Sequence, residues 1–471
     1  MSSLFSNLSV ASKALSAQAM GVATAGRNMA NVNNANYARQ RVILGDRGSV
    51  MTTTGVESMG LEALGISQMR DSLLDQQVLR EVSLKAALDT SQSGLQKAQA
   101  GLGEQIDSAS NTSTATGGSH GLAASLANFF NAFQSFAGNP TDVGQRQTLV
   151  QQAGILTDRI QLTDTRVTQT QSDLTTQAAG DIATVNTDLQ NIADLNAQIS
   201  RIEGNAVGSA VDLRDTRQAV LEDLAGKISF ETRPQPGAGG QIQVFAHDAT
   251  GAEIVLVDHQ IVTGPVTFDG TNVKAGAAAT TLALSGGSIK GALDTRDGAL
   301  QTLHQNIDTL AAQLVSSVNA AYNPTGATGD FFDPAGTTAA AIQLASGLNS
   351  TNLKASDGGA AGDNTVALAV ANLANKSFSV AGGDLIEGTF SQHYSSAVTD
   401  LGQTLSGVNS RVSDEANIEK LVRAQRDAIS GVSLDEETAD LMKYQRAFQA
   451  SSRVVQTIDG MLNTVINGLM S

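Results

Sequence analysis

The final stretch, Ser433 to Ser471, carries an apolar repeat that leaves the chain few ways to fold. Leu441, Phe448, Val455, Leu462 and Leu469 recur every seven residues, and Tyr444, Ser451, Ile458 and Val465 fall on the second seam of the same heptad. Only Ser451 interrupts the register. Spacing of this kind over about four heptads predicts a helix packed lengthwise on another helix. Ser433 is placed to cap it with Glu436 as capping-box partner, and Asp435, Glu436 and Glu437 suit the positive end of its dipole. A matching seam lies at the other end of the chain. Leu8, Leu15, Val22 and Met29 repeat every seven residues, with Leu4, Ala11, Gln18, Ala25 and Val32 beside them. Ala and Gln dilute this register, yet small residues permit close approach. Either both ends dock as ordinary amphipathic helices on one core, or they pair and then associate with copies of themselves.

At 471 residues the chain has room for roughly three domains and an ample core. Aromatics make up only 4% and Trp is absent, so that core is built from Ala, Leu, Val and Ile, which suits long, closely packed helices. A net charge of -16 argues against nucleic acid and against an anionic membrane surface as partners. The absence of Cys excludes disulfides, thiolate metal sites and cysteine catalysis. Met1-Ser2-Ser3-Leu4 opens no secretory signal, and no apolar run approaches the ~20 residues of a membrane span. Alone, these features read as a cytoplasmic protein.

Along the chain the reading is mainly α with a small inserted β-rich domain, a long-helix rod-shaped domain, and terminal helices pairing as a coiled coil. Residues 1–65 form the N-terminal helix and an extended arm, and 66–229 the first part of a helical shaft. Within that shaft, helices are predicted from about Asp71 to Ile106 and from Thr141 to Ile202, with a polar loop at Ser108–Ser119 and a short Phe-rich helix before Gly138-Asn139-Pro140. Residues 230–287 form about six short strands, 288–325 the second shaft part, 326–395 an irregular insertion, 396–432 the third shaft part, and 433–471 the C-terminal helix. The nested order places both termini at one pole and the sheet at the other.

Catalytic and cofactor patterns are missing. His120, His247, His259, His304 and His393 never fall at helix spacing from one another, and no Walker, HExxH, Gly-x-Ser-x-Gly or EF-hand pattern occurs. Asp248 and Asp269-Gly270 read as turns rather than Ca²⁺ ligands. The clusters Asp212, Arg214, Asp215, Arg217 and Asp294, Arg296, Asp297 read as surface ion pairs at helix ends. No catalytic, cofactor or metal site is expected.

Several blocks carry a resemblance. Arg27-Asn28-Met29-Ala30-Asn31-Val32-Asn33 with Tyr37-Ala38-Arg39-Gln40, and Ser433-Leu434-Asp435-Glu436-Glu437 ahead of the last heptads, resemble the termini of the bacterial flagellar axial proteins. Asn34-Ala35-Asn36 replaces the Thr-Pro-Gly usual before the Tyr, with Asn expected to supply the left-handed turn that Gly gives. Leu213-Arg214-Asp215-Thr216-Arg217, Ile289 to Asp297, Val318-Asn319, Gly329-Asp330-Phe331-Phe332-Asp333-Pro334 and Ser430-Gly431-Val432 are similar to the hook-associated protein 1 family in particular. That resemblance implies a structural adaptor at the junction of flagellar hook and filament, assembling as an annular layer whose inner tube is lined by residues 1–65 and 433–471. It also implies export through the flagellar type III system without cleavage of the N-terminus, to an extracellular place on the flagellum. The implied partners are copies of itself, the hook protein, the second hook–filament junction protein and an export chaperone on the C-terminal segment. The expected assembly interface comprises Leu8, Leu15, Val22, Met29, Asn31, Asn33, Tyr37, Leu441, Tyr444, Phe448, Val455, Ile458, Leu462 and Val465. Alternatives are another axial subunit of hook or distal rod, a secreted hydrolase on axial-type ends, or a cytoplasmic coiled-coil scaffold.

Overall fold

The computed structural model describes residues 2–46, 48–52, 55–103, 121–204, 208–326, 329–360 and 362–470. The expected polar loop at Ser108–Ser119 lies outside them, as do the side chains of Leu4 and Leu469. In chain order the elements begin with α1 (Ser2–Ala30), β1 (Gln40–Asp46), β2 (Ser49–Thr52), β3 (Gly55–Ser58), β4 (Leu61–Gln68) and α2 (Ser72–Leu102). Next come α3 (Leu122–Gly138), α4 (Val143–Glu203) and α5 (Val211–Ala225). The strands β5 (Glu231–Pro234), β6 (Ile242–His247), β7 (Glu253–Asp258), β8 (Ile261–Val262), β9 (Thr267–Phe268), β10 (Val273–Ala275) and β11 (Thr280–Thr281) follow. The chain ends with α6 (Ser288–Thr295), α7 (Gln301–Tyr322), α8 (Thr365–Asn372), α9 (Phe390–Ser430) and α10 (Leu434–Met470). These boundaries fall close to those read from periodicity, and the mainly helical class with a small β region is as expected. One expected helix is broken: a turn of π-helix, Arg296–Leu300, separates α6 from α7.

The residues gather in two compact units. The first takes Met1–Lys85, Ile182–Gly287 and Glu415–Ser471. Here α1 packs along α10, around a small core of Ala11, Ile458 and Leu462 with Leu8 and Val455 against it. The extended arm is two antiparallel pairs, β1 with β4 and β2 with β3, the longer one bulged between Ile43 and Leu44. Strands β5 to β8 form one antiparallel sheet in sequence order and β9 to β11 a second, so the expected six strands are seven in two sheets. Amides on α4 satisfy the strands' spare backbone groups. Asn186 both donates to Val266 O and accepts from Val266 N at 2.8 Å, and Asn196 donates to Ile242 O at 2.8 Å.

Two expectations fail in this unit. The β-rich segment is not a unit of its own: β5 to β11 are grouped in the same compact unit as α1 and α10, and Gln76 at the start of α2 donates to Thr232 O at 2.8 Å. Nor is the Asp212–Arg217 cluster a set of surface pairs. Asp215 and Arg217 are buried. Arg217 donates to Asn196 Oδ1 at 2.7 Å and Gly240 O at 2.9 Å, and burial pushes its guanidinium below the usual arginine value. Amphipathic periodicity hides such residues, since a charged side chain that finds fixed acceptors tolerates burial.

Asp188 on α4 illustrates the opposite case. It is 8% exposed and its Oδ2 has no hydrogen-bond partner. Burial pushes its carboxyl up to about 6, with Asp223 adding to the shift and Lys227 opposing it. A folded value above the unfolded one means that this group favours the fold fully below about pH 4 and loses that contribution as pH rises through about 6. Asp188→Asn is therefore expected to stabilise the chain by about 1–2 kcal/mol at pH 8 and to change little at pH 4. Urea unfolding of both proteins at the two pH values measures this; an equal effect at both removes the linkage argument.

The second unit takes Ala86–Asp181 and Ser288–Asp414. Though aromatics are scarce in the chain, they concentrate here: Phe129, Phe133, Phe331, Phe332 and Tyr322 are fully buried, with ring centroids 5.0–5.9 Å apart in edge-on and tilted contacts. The Val318-Asn319 and Gly329–Pro334 blocks are thereby explained as one device. Asn319 donates to Phe332 O at 2.9 Å and accepts from Phe331 N and Phe332 N at 3.1 and 2.9 Å. The side-chain amide thus holds both rings' backbone over the core. Between α7 and α9 the described residues hold α8 and two short 3₁₀ turns, and they bury Ala339, Ile342, Leu353, Phe378 and Ile386 in the core.

Candidate functional site

The N-terminal signature and the Ser433–Glu437 block meet in one buried polar junction of the first unit. Asn28, in the last turn of α1, donates to Gln40 O and to Glu437 Oε2, both at 2.9 Å. Its Oδ1 accepts from Gln40 N at 3.0 Å and from the Tyr37 hydroxyl at 2.8 Å. Burial pushes the Tyr37 phenol up, which keeps it the donor. Arg39 closes the other side: its Nε donates to Glu437 Oε1 at 2.7 Å, its Nη1 to Glu436 Oε2 at 2.5 Å, and its own amide to Ser430 O at 2.8 Å. Both oxygens of Glu437, 2% exposed, are thus held by residues from the far end of the chain.

Around this junction a second layer ties in the rest of the unit. Asp215 accepts from Arg70 Nη2 at 2.6 Å, from Gln68 Nε2 at 2.8 Å and from Ala38 N at 3.3 Å. Burial pushes its carboxyl up while Arg70 opposes the shift. Glu222 receives Arg426 at 2.7 Å and Arg423 at 2.8 Å, and Arg426 donates onward to Ala35 O at 3.0 Å. Each acid of this junction faces an arginine or an amide, an arrangement that fixes the geometry of the segments meeting here.

The turn after α1 is made differently from the expected one. Among the described residues only His259 and Ala279 combine a side chain with positive φ, so neither Asn34 nor Asn36 is left-handed. Instead Asn34 Oδ1 accepts from Asn36 N at 3.2 Å, and Tyr37 N donates to Asn34 O at 3.1 Å. The capping box is likewise half formed: Ser433 Oγ lies 3.5 Å from Glu436 N, while the Glu436 carboxylate goes to Arg39.

The residues proposed for assembly are distributed unevenly. Ile458 and Leu462 are buried, and Leu8, Leu15, Val22, Met29, Leu441, Tyr444 and Val455 are half-buried. Phe448 and Val465 are exposed, 37% and 36%. On α1 the fully covered stripe is Ala11, Ala17, Gly21, Thr24, Ala25 and Asn28 rather than the large apolar seam. Gly21 shows why: a Cβ there would stand 2.5 Å from the Tyr444 ring, so the helices approach over small residues and leave the larger ones at the flanks. Asn31 donates back to Arg27 O at 2.9 Å, and with the exposed Asn33 it lines an open cleft of about 400 Å³ beside Ile429 and Val432. Spacing alone could not find Arg70, Glu222 or Arg426. Asn28, Arg39 and Glu437 stood inside the quoted signatures, but only the fold shows them as mutual partners.

Comparison with known proteins adds the following. Residues 104–332 match the family described as Flagellar hook-associated protein FlgK helical domain, and residues 424–468 match Flagellar basal body rod FlgEFG protein C-terminal. Flagellar hook-associated protein 1 of Bacillus subtilis (strain 168) is 25% identical over 523 residues, covering 100% of this chain and 99% of the relative. Its namesake in Escherichia coli (strain K12) is 23% identical over 570 residues, covering 99% and 100%. Among solved structures, the flagellar hook junction protein FlgK from Burkholderia pseudomallei aligns at TM-score 0.44 and 20% identity, over 55% of this chain and 46% of that one. With two flagellar family matches and likeness running from end to end, the chain is similar over its whole length to flagellar hook-associated protein 1.

Proposed function

We propose that this chain is the structural adaptor between flagellar hook and filament, and that it self-assembles into an annular layer through its terminal helices. The observation that carries the reading is the full-length likeness to flagellar hook-associated protein 1. The α1–α10 pair supports it. Met442, Val454, Met461 and Ile466 are 48–54% exposed along α10, in a chain of net charge -16. Apolar rows left open beside a paired seam are what a neighbouring subunit covers. In this reading residues 1–65 and 433–471 line the inner tube, and Phe448 and Val465 contact the next copy. The hook protein and the second junction protein bind above and below, and an export chaperone holds the C-terminal segment before assembly. The flagellar type III apparatus delivers the chain to the cell exterior.

Removing the gene tests this. Cells are expected to build basal bodies and hooks, to shed flagellin into the medium and not to swim. Normal filaments in the deletion strain would end the reading, and missing hooks would replace it with a hook or rod subunit.

A further inference from the structure

We propose that Asp164, His304 and Asp308 form a binding site for a first-row divalent transition ion such as Zn²⁺. The site lies within the second unit. His304 and Asp308 stand one turn apart on α7, hence on one face, and Asp164 faces them from α4; one ligand atom from each lies within 4.8 Å of the other two. Two ligands bound at ~2.1 Å in a tetrahedral set are about 3.4 Å apart, so binding an ion opens the Asp164–His304 contact and draws the Asp308 carboxylate in. Asp308, whose side chain is 30% exposed, holds Oδ1 on the Ala339 amide at 2.8 Å, which leaves Oδ2 as the oxygen turned toward His304.

A second observation points to a cation. Asp164 is 4% exposed, yet its Oδ1 makes no hydrogen bond, and neither does the buried Nδ1 of His304. The two atoms are only 2.7 Å apart, in contact without the direction of a hydrogen bond. An ion bound beside this contact, with the two atoms opened to about 3.4 Å, takes a lone pair from each. Burial pushes the Asp164 carboxyl up, Asp308 adds to the shift and His304 opposes it. With the imidazole neutral, the trio carries two negative charges. One imidazole and two carboxylates, in a chain without Cys, suit Zn²⁺ or Co²⁺ better than a soft thiophilic ion or an all-oxygen Ca²⁺ cage. The partial exposure of His304 and Asp308, 25% and 30%, leaves an open side for entry and for water ligands.

Full-length chain stripped with a chelator and titrated with Co²⁺ gives the test. The expected result is one equivalent bound with visible d–d absorption, displaced by Zn²⁺, and a rise in Tm with either ion. His304→Ala is expected to weaken binding at least ~10-fold, and Asp308→Asn to weaken it too, with circular dichroism confirming the fold. His247→Ala retains binding. Should His304→Ala fail to fold, Asp308→Asn on the exposed side supplies the same readout. Binding unaltered by both variants overturns the proposal. So does a Tm that shifts with pH but not with Zn²⁺, which marks a plain imidazolium–carboxylate pair.

Discussion

Glu437→Ala is expected to uncouple the two ends of the chain, at a cost of about 3 kcal/mol. Glu437 is buried, and the substitution removes the acceptors of Asn28 Nδ2 and Arg39 Nε together. Breaking a buried charged pair from one side strands the other charge, which is why such losses reach ~3–5 kcal/mol. Arg39 keeps Glu436 at 2.5 Å and Asp440 at 3.6 Å, so the lower end of that range applies. Glu436→Ala, one residue away but exposed, is expected to cost under ~1 kcal/mol. Urea unfolding of both variants, with limited proteolysis of the ends, separates them. Equal effects would show that burial of Glu437 does not set its weight.

A second large effect is expected at Gly291. A Cβ built there stands 2.1 Å from the carbonyl oxygen and 2.8 Å from the carbonyl carbon of Ala87. The obstacle is backbone, which cannot swing aside as a side chain does. Helices α2 and α6 must separate, losing the Ser91 hydroxyl bond to Gly291 O at 3.2 Å and loosening buried Ile289 and Ala292. Alanine gains roughly 1 kcal/mol of helix propensity over glycine, but overpacking costs ~1–3 kcal/mol or more. Sterics therefore win, and Gly291→Ala is expected to destabilise by about 2 kcal/mol net. Gly154→Ala on α4, with nothing within 4 Å of its would-be Cβ, is the control, expected to stabilise by ~0.5–1 kcal/mol. A thermal melt of each reports the sign. Stabilisation in both would mean that the helices yield without penalty.

What could be read from the sequence divides along physical lines. Helices announce themselves because an apolar stripe recurs at a fixed period, and so α3, α4, α9 and α10 appear near the positions read from Leu, Ile and Val. The π-helical turn at Arg296–Leu300 leaves no such trace, since one extra residue per turn shifts the period only locally. Charged residues misled for a related reason: Asp215 and Arg217 belong to a helix whose pattern treats them as polar and outward, while their partners Arg70, Asn196 and Gly240 are distant in sequence. The terminal pair was visible through its heptads. Its closest approach was not, because Gly21 is informative only once Tyr444 is seen against it. His304 has no histidine at helix spacing, and the carboxylates beside it include Asp164, which is far away in sequence.

The bond between Asn28 and Glu437 joins positions 409 apart. Bringing together the ends of a flexible segment that long costs about 5 kcal/mol of chain entropy, and a folded interior shortens the loop and lowers that cost. A chain that stops before Glu437, or one whose middle has failed to fold, leaves Asn28 and Arg39 without their shared acceptor, and its first helix stays unlatched.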